Sequence, residues 1–174
     1  MSNFIIILVI IIAIPLLLAA IMKKQYEVKQ DIVINRNKND VFAYIKYLKN
    51  QDNFSKWILM DPNVKKEYRG TDATVGFVST WESENKKVGR GEQEIKNIVE
   101  GERIDYEIRF ITPFQSVSPA YLAASEIENN QTKVTWSFTG KMAYPMNLMI
   151  PNLVSSLEKD LHTGLENLKN LLEK

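Results

Sequence analysis

Residues 152–172 read NLVSSLEKDLHTGLENLKNLL, and the architecture turns on them. Val154, Leu157, Leu161, Leu165, Leu168 and Leu172 recur at intervals of three and four, which predicts a helix with one continuous apolar face. Glu158, Lys159, Glu166 and Lys169 occupy the opposite face. A stripe of that length has to be covered by a broad apolar partner.

The segment from Val64 to Thr139 supplies that partner. It alternates in short runs near Val64–Arg69, Val75–Ser83, Val88–Ile98, Arg103–Phe110, Ser118–Glu128 and Thr132–Thr139. Turn-forming breaks separate them at Gly70–Asp72, Ser83–Asn85, Glu100–Gly101 and Asn129–Asn130. Breaks this short join antiparallel neighbours. Phe77, Ser79 and Trp81 share one face; so do Ile104, Tyr106, Ile108 and Phe110, and so do Val134, Trp136 and Phe138. A further strand, Tyr26–Ile34, precedes them, with Tyr26, Val28, Ile32 and Ile34 on one parity. Between it and the others, Asn37 and Asp40 form a capping-box pattern ahead of Val41, Phe42, Ile45 and Leu48. A second helical turn is predicted around Phe54–Trp57. The expected fold is α+β: a curved antiparallel sheet of about seven strands wrapped on the long C-terminal helix, with two short helices after the first strand. A curved sheet closed by one helix leaves an apolar space between them.

Ahead of all this lies FIIILVIIIAIPLLLAAIM, Phe4–Met22, without a charge. As a helix it spans roughly 28 Å, close to a bilayer core. The run is longer than a usual signal-peptide core, has no basic residue before it, and offers no good small-residue cleavage site, so it is read as an uncleaved anchor. Residues 1–24 are then a transmembrane segment and residues 25–174 a tethered domain. Lys23, Lys24, Lys29, Arg36 and Lys38 follow the run, which by the positive-inside rule places the domain in the cytoplasm.

Composition excludes several function classes. The 22 basic and 21 acidic residues leave a net charge of +1, not the balance of a nucleic-acid binder. Absence of cysteine removes disulfides, thiol catalysis and thiolate-bound metal. With one histidine as well, no zinc site is expected. Gly89-Arg90-Gly91 lacks the lysine and helix of a phosphate loop and reads as strand curvature. No cofactor is called for.

The order of elements, with VFAYIKYLKN, FSKWILMDPNV, KVGRGEQEI and KVTWSFTG in sequence, resembles the START-like superfamily known as SRPBCC, and within it the polyketide cyclase/dehydrase-like branch. The resemblance covers about Val28–Leu172. It implies a helix-grip fold with a deep hydrophobic cavity that binds lipids, sterols, polyketides or hormones, with catalysis in a minority of members.

On the inward parity, the candidate ligand-binding residues are Trp57, Phe77, Trp81, Tyr106, Ile108, Phe110, Trp136 and Phe138, with Leu157 and Leu161 from the helix. Ser79, Gln93 and Tyr106 are the candidate polar contacts. Asp105, Glu107, Arg109, Glu92 and Glu94 fall on the outward parity as solvated charges. His162 stands one residue off the apolar stripe with no partner to activate, so no catalytic residue is assigned. Met142, Met146 and Met149, in the segment MAYPMNLMIPN, are candidates for a flexible lid. The function expected is binding of an apolar small molecule or lipid by a membrane-tethered domain. The alternatives are a cyclase/dehydrase-like enzyme using Tyr106 or His162 as acid or base, and a non-catalytic interaction module.

Overall fold

The computed structural model describes residues 2–174. Helix α1, Ser2–Ile21, is followed by strand β1, Gln25–Ile34, helix α2, Lys38–Ile45, a 3-10 turn, Leu48–Asn53, and helix α3, Lys56–Leu59. Strands β2, Lys65–Arg69, β3, Val78–Glu82, β4, Arg90–Val99, β5, Arg103–Thr112, β6, Ser116–Glu128, and β7, Gln131–Lys141, come next. A 3-10 turn, Met146–Met149, leads into helix α4, Ile150–Leu172. The strands form one antiparallel sheet in the order β1-β7-β6-β5-β4-β3-β2. Only β1 is out of sequence order, paired along its length with β7, as in a meander closed by its first strand.

Local chemistry explains the elements. Asn37 caps α2: its Oδ1 accepts from the Asp40 N–H at 2.9 Å, and its Nδ2 donates to the Asp40 carboxylate at 2.7 Å. Helix α4 starts with Pro151 in its first turn, where the missing N–H costs nothing. The expected single helical turn at Phe54–Trp57 is instead two pieces, split at Phe54 and Ser55. The split sinks the Phe54 ring fully into the core, and its N–H donates to the Gln51 carbonyl. The third expected strand is also shorter: regular pairing runs over Val78–Glu82, while Gly76, at φ +88°, and Phe77 meet Ile95 of β4 through irregular backbone hydrogen bonds ahead of it.

The sheet bends where its register slips, between Arg90 and Gly91 and between Ile95 and Asn97 along the β4–β5 pair, and between Glu126 and Glu128 on β6. Its concave face meets α4. At one end the gap is filled: Ile34, Val41, Ile45, Leu48, Ile95, Ile104, Leu122, Val134, Leu165 and Leu168 are buried in one cluster. Burying each such side chain contributes about 1.5–3 kcal/mol. Towards the start of α4 the gap is not filled.

Helix α1 is long and apolar enough over Phe4–Ile21 to cross a membrane, a description that a signal sequence also meets. Within that stretch only Ala19 is buried.

Candidate functional site

The unfilled half of the grip is a cavity of about 650 Å³ between the sheet and α4. That volume suits a small organic ligand. Its floor comes from the inward face of the sheet, where Ser79 on β3 and Ser118 on β6 are both 3 % exposed. Small side chains there leave the space that Leu or Phe would occupy.

Aromatic rings build the walls. Trp81, Phe110, Phe138 and Tyr26 form a chain across β3, β5, β7 and β1, with centroid separations of 5.9, 6.1 and 6.4 Å. A second group joins Phe54, Trp136 and Trp57, edge to face at 5.6 and 6.1 Å. Three of these rings rest on glycine. A Cβ on Gly91 would meet the Trp81 ring at 2.5 Å, one on Gly140 the Tyr26 ring at 2.4 Å, and one on Gly164 the Trp136 ring at 2.8 Å. Tyr26–Gly140 and Trp81–Gly91 are also direct cross-strand partners. Gly91 therefore gives clearance to a wall residue as well as sitting at the bend. Gly89, at φ +63° with the Thr112 carbonyl in the path of any Cβ, belongs to a close loop approach. The Trp81 indole N–H donates to the Val88 carbonyl at 3.1 Å, which locks the ring.

Trp57, Ser79, Trp81, Gln93, Ile108, Phe110, Trp136, Phe138, Leu157 and Leu161 line the cavity together. Phe77 and Tyr106, expected in the wall, do not. Phe77 is packed in the core, stacked on Tyr68 with centroids 6.1 Å apart. Tyr106 is buried one residue pair deeper along β5, and burial pushes its hydroxyl well above the usual phenol range. The Tyr106 hydroxyl and the Gln51 Nε2 are both buried without a hydrogen-bond partner. Gln51 itself is among the residues that line the cavity.

The candidate lid, Met142, Met146 and Met149, lies outside the cavity lining. The segment instead packs on the end of α1: Asn147, fully buried, donates from Nδ2 to the carbonyls of Ala19 and Met22. The Met142 N–H donates to the Lys24 carbonyl at 2.8 Å. The mouth is framed instead by Lys86, Lys87, Pro113, Phe114, Lys141 and Leu153. Sequence reasoning missed Ser118, although it alternates with Ala120, Leu122 and Ala124, and missed Gln51 and Phe114, which carry no periodic signal.

Two lysines inside the wall are paired, whereas among the described residues Lys86, Lys87 and Lys141 at the mouth are not. Lys66 bridges Asp52 at 2.9 Å, and Lys56 pairs with Asp160. His162 lies outside the cavity, half-exposed, with Nε2 3.3 Å from a Glu166 oxygen. On the convex face, Arg109 binds Glu92 at 2.6 Å, Glu94 at 2.8 Å, and Glu107. Hydrogen bonds from Arg109 and then Lys96 hold the Glu94 carboxyl below its ordinary range. These are the outward charges expected from strand parity. Among the described residues, no three His, Asp or Glu side chains gather as metal ligands.

The family model described as polyketide cyclase/dehydrase and lipid transport matches residues 25–173. No curated protein matches the chain. Among solved structures, a protein of Nitrosospira multiformis shares 18% identity at a TM-score of 0.58, covering 84% of this chain and 96% of that one. The Aha1 dimer from Colwellia psychrerythraea shares 12% at 0.59, covering 85% and 96%. The di-domain ARO/CYC BexL from the BE-7585A biosynthetic pathway shares 14% at 0.64, with 90% of this chain aligned to 53% of that protein. At these identities the likeness is one of fold.

Proposed function

The chain belongs to the polyketide cyclase/dehydrase and lipid transport family, and from that membership we propose that it binds an apolar small molecule of lipid or polyketide kind in the cavity between the sheet and α4. Residues 1–24 act as the anchor and residues 25–174 as the tethered binding domain, on the cytoplasmic side by the lysines after the anchor. The observation that carries this reading is the empty half of the grip. Ser79 and Ser118 keep the floor low, and glycines set the Trp81, Tyr26 and Trp136 rings back from it. A protein with no ligand gains stability by filling such a space with its own side chains, since unfilled volume forfeits packing. Leu157 and Leu161 close the site from α4, and Gln51, Gln93, Ser79 and Ser118 offer the few polar contacts that orient an otherwise apolar guest.

Uptake of a fluorescent apolar probe by the full chain in detergent tests this reading. Saturable binding, lost in Ser118→Leu with the fold retained, is the expected result. Non-saturable partitioning, equal in the variant, is the result that contradicts it.

A second reading follows the cyclase half of the family description. In it, Ser79, Gln93 and Ser118 would hold carbonyl oxygens of a poly-keto chain while the aromatic walls impose its bend. Turnover of such a substrate, lost in Gln93→Leu with binding kept, separates it from the binding reading.

A further inference from the structure

The cavity mouth and the exit of α1 lie at the same end of the sheet, and the strand register fixes this. Gln25 pairs with Lys141 and Ala120 with Phe138, so β1 begins, β7 ends and β6 begins there. Phe110 pairs with Ser116 and Arg90 with Thr112, which brings the β5–β6 turn and the β3–β4 loop to the same end. The turns at Gly101 and Asn130 are at the other. The chain from Ile21 to Gln25 reaches at most about 14 Å. Strand β6 lies two strand spacings, about 10 Å, to the side of β1. The mouth is therefore held close to the plane from which α1 emerges.

That end carries two features that water alone does not favour together. Its apolar side chains are extended into solvent: Phe114 is 78 % exposed, Val117 59 % and Met149 51 %. Around them stand the exposed cations Lys23, Lys24, Lys86, Lys87, Arg90 and Lys141. They outnumber the carboxylates of this end, Asp61, Glu82, Glu84, Glu27 and Glu92, the last of which is held by Arg69 and Arg109. Arg90 is 4.0 Å from Glu82, but among the described residues no carboxylate lies within ion-pair distance of these lysines. Apolar tips ringed by unpaired lysines match an anionic bilayer, whose acyl boundary takes the apolar groups and whose phosphates take the ammonium groups. Phe114, Lys86, Lys87 and Lys141 belong to the docking surface and to the mouth at once.

We infer that this end of the domain docks on an anionic membrane surface, with the Phe114 turn at the acyl boundary and the cavity mouth opening onto the lipid. The inference rests on α1 being a membrane anchor. It adds that the domain does not hang free from that anchor, and that its ligand enters from the bilayer side.

The absence of cysteine permits single labels on the full chain. An environment-sensitive fluorophore is placed at Phe114→Cys, Val117→Cys or, as the far-end control, Glu102→Cys, and the protein is reconstituted in phosphatidylcholine vesicles with or without phosphatidylglycerol. Lipids brominated near the headgroup are the quenchers. Quenching at 114 and 117 several-fold above that at 102, increased by phosphatidylglycerol, is the expected result. Lys86→Gln with Lys87→Gln is expected to reduce the phosphatidylglycerol increment, with Lys23, Lys24, Arg90 and Lys141 retaining the rest. Chain that floats with the vesicles but is unquenched at 114 and 117 overturns the inference and leaves the anchor reading intact. Quenching at 114 alone marks lipid in the mouth without docking and overturns it too, because Val117 points away from the cavity. Chain that does not float refutes the anchor itself.

Discussion

The Nδ2 of Asn147 stands 2.7 Å from the carbonyl oxygen of Ala19, and 3.1 Å from that of Met22. The last carbonyls of a helix have no partner within the helix. Here a fully buried side chain from the turn before α4 supplies one, and so joins α1 to the domain that holds the cavity. Asn147→Ala removes both hydrogen bonds, at about 1 kcal/mol each, and is expected to free the joint rather than unfold the domain. Hydrogen exchange at residues 19–24 will rise while exchange in β4–β7 stays as it was. Asn147→Asp is expected to be worse than alanine, because a carboxylate would face two carbonyl oxygens.

Gly91→Ala will drive the Trp81 ring out of its place, since the added Cβ would lie 2.5 Å from it and 2.6 Å from the Arg109 carbonyl oxygen, which as backbone cannot easily give way. Overpacking of this kind costs about 1–3 kcal/mol. The expected signature is a lower melting temperature with a shifted Trp81 emission and weaker probe uptake. Gly101→Ala has open space around its Cβ but φ +75°, so it is expected to reduce stability and leave uptake alone.

Much of this architecture was legible in the sequence, and the reasons are physical. Strand parity at Ile104–Phe110 and Val134–Phe138, and the three-four spacing from Val154 to Leu172, are set by burial on one face, so alternation reports orientation directly. Most proposed wall residues fall in the cavity for that reason. Phe77 and Tyr106 share the inward parity with wall residues, yet parity gives the face and not the position along the strand, and they lie in the filled half of the grip. The methionine segment has no periodicity. Its role depends on contact with Ala19, 128 residues away, which no local pattern encodes. Gly140 and Gly164 gave no signal either, because their function is clearance for a ring on another element.

Tyr106→Phe is expected to keep or raise stability, by up to about 1 kcal/mol, because the hydroxyl it removes is buried without a partner. Thermal unfolding of the two proteins side by side checks this. A loss of several degrees would mean that the Gln51 amide and the Tyr106 hydroxyl form a bond the fold depends on.

Arg109→Gln leaves Glu92, Glu94 and Glu107 facing one another on the convex sheet. At pH 7 the loss is expected to be about 1–2 kcal/mol, small because the network is partly solvated. The pH dependence has a definite sign. The folded pKa of Glu94 is depressed below 4.5, so its contribution is present above pH 4.5 and is lost as pH falls through the folded value. The gap between wild type and variant will therefore narrow below pH 4.5. Denaturant titrations at pH 7 and in the acid range measure it.

Native mass spectrometry of the full chain, released from detergent after exposure to a membrane lipid extract, tests the central claim most directly. The account predicts one added mass from a defined apolar molecule on the wild type, absent from Ser118→Leu, whose new side chain fills the cavity floor. An apo mass in both proteins, or the same adduct on both, would contradict it.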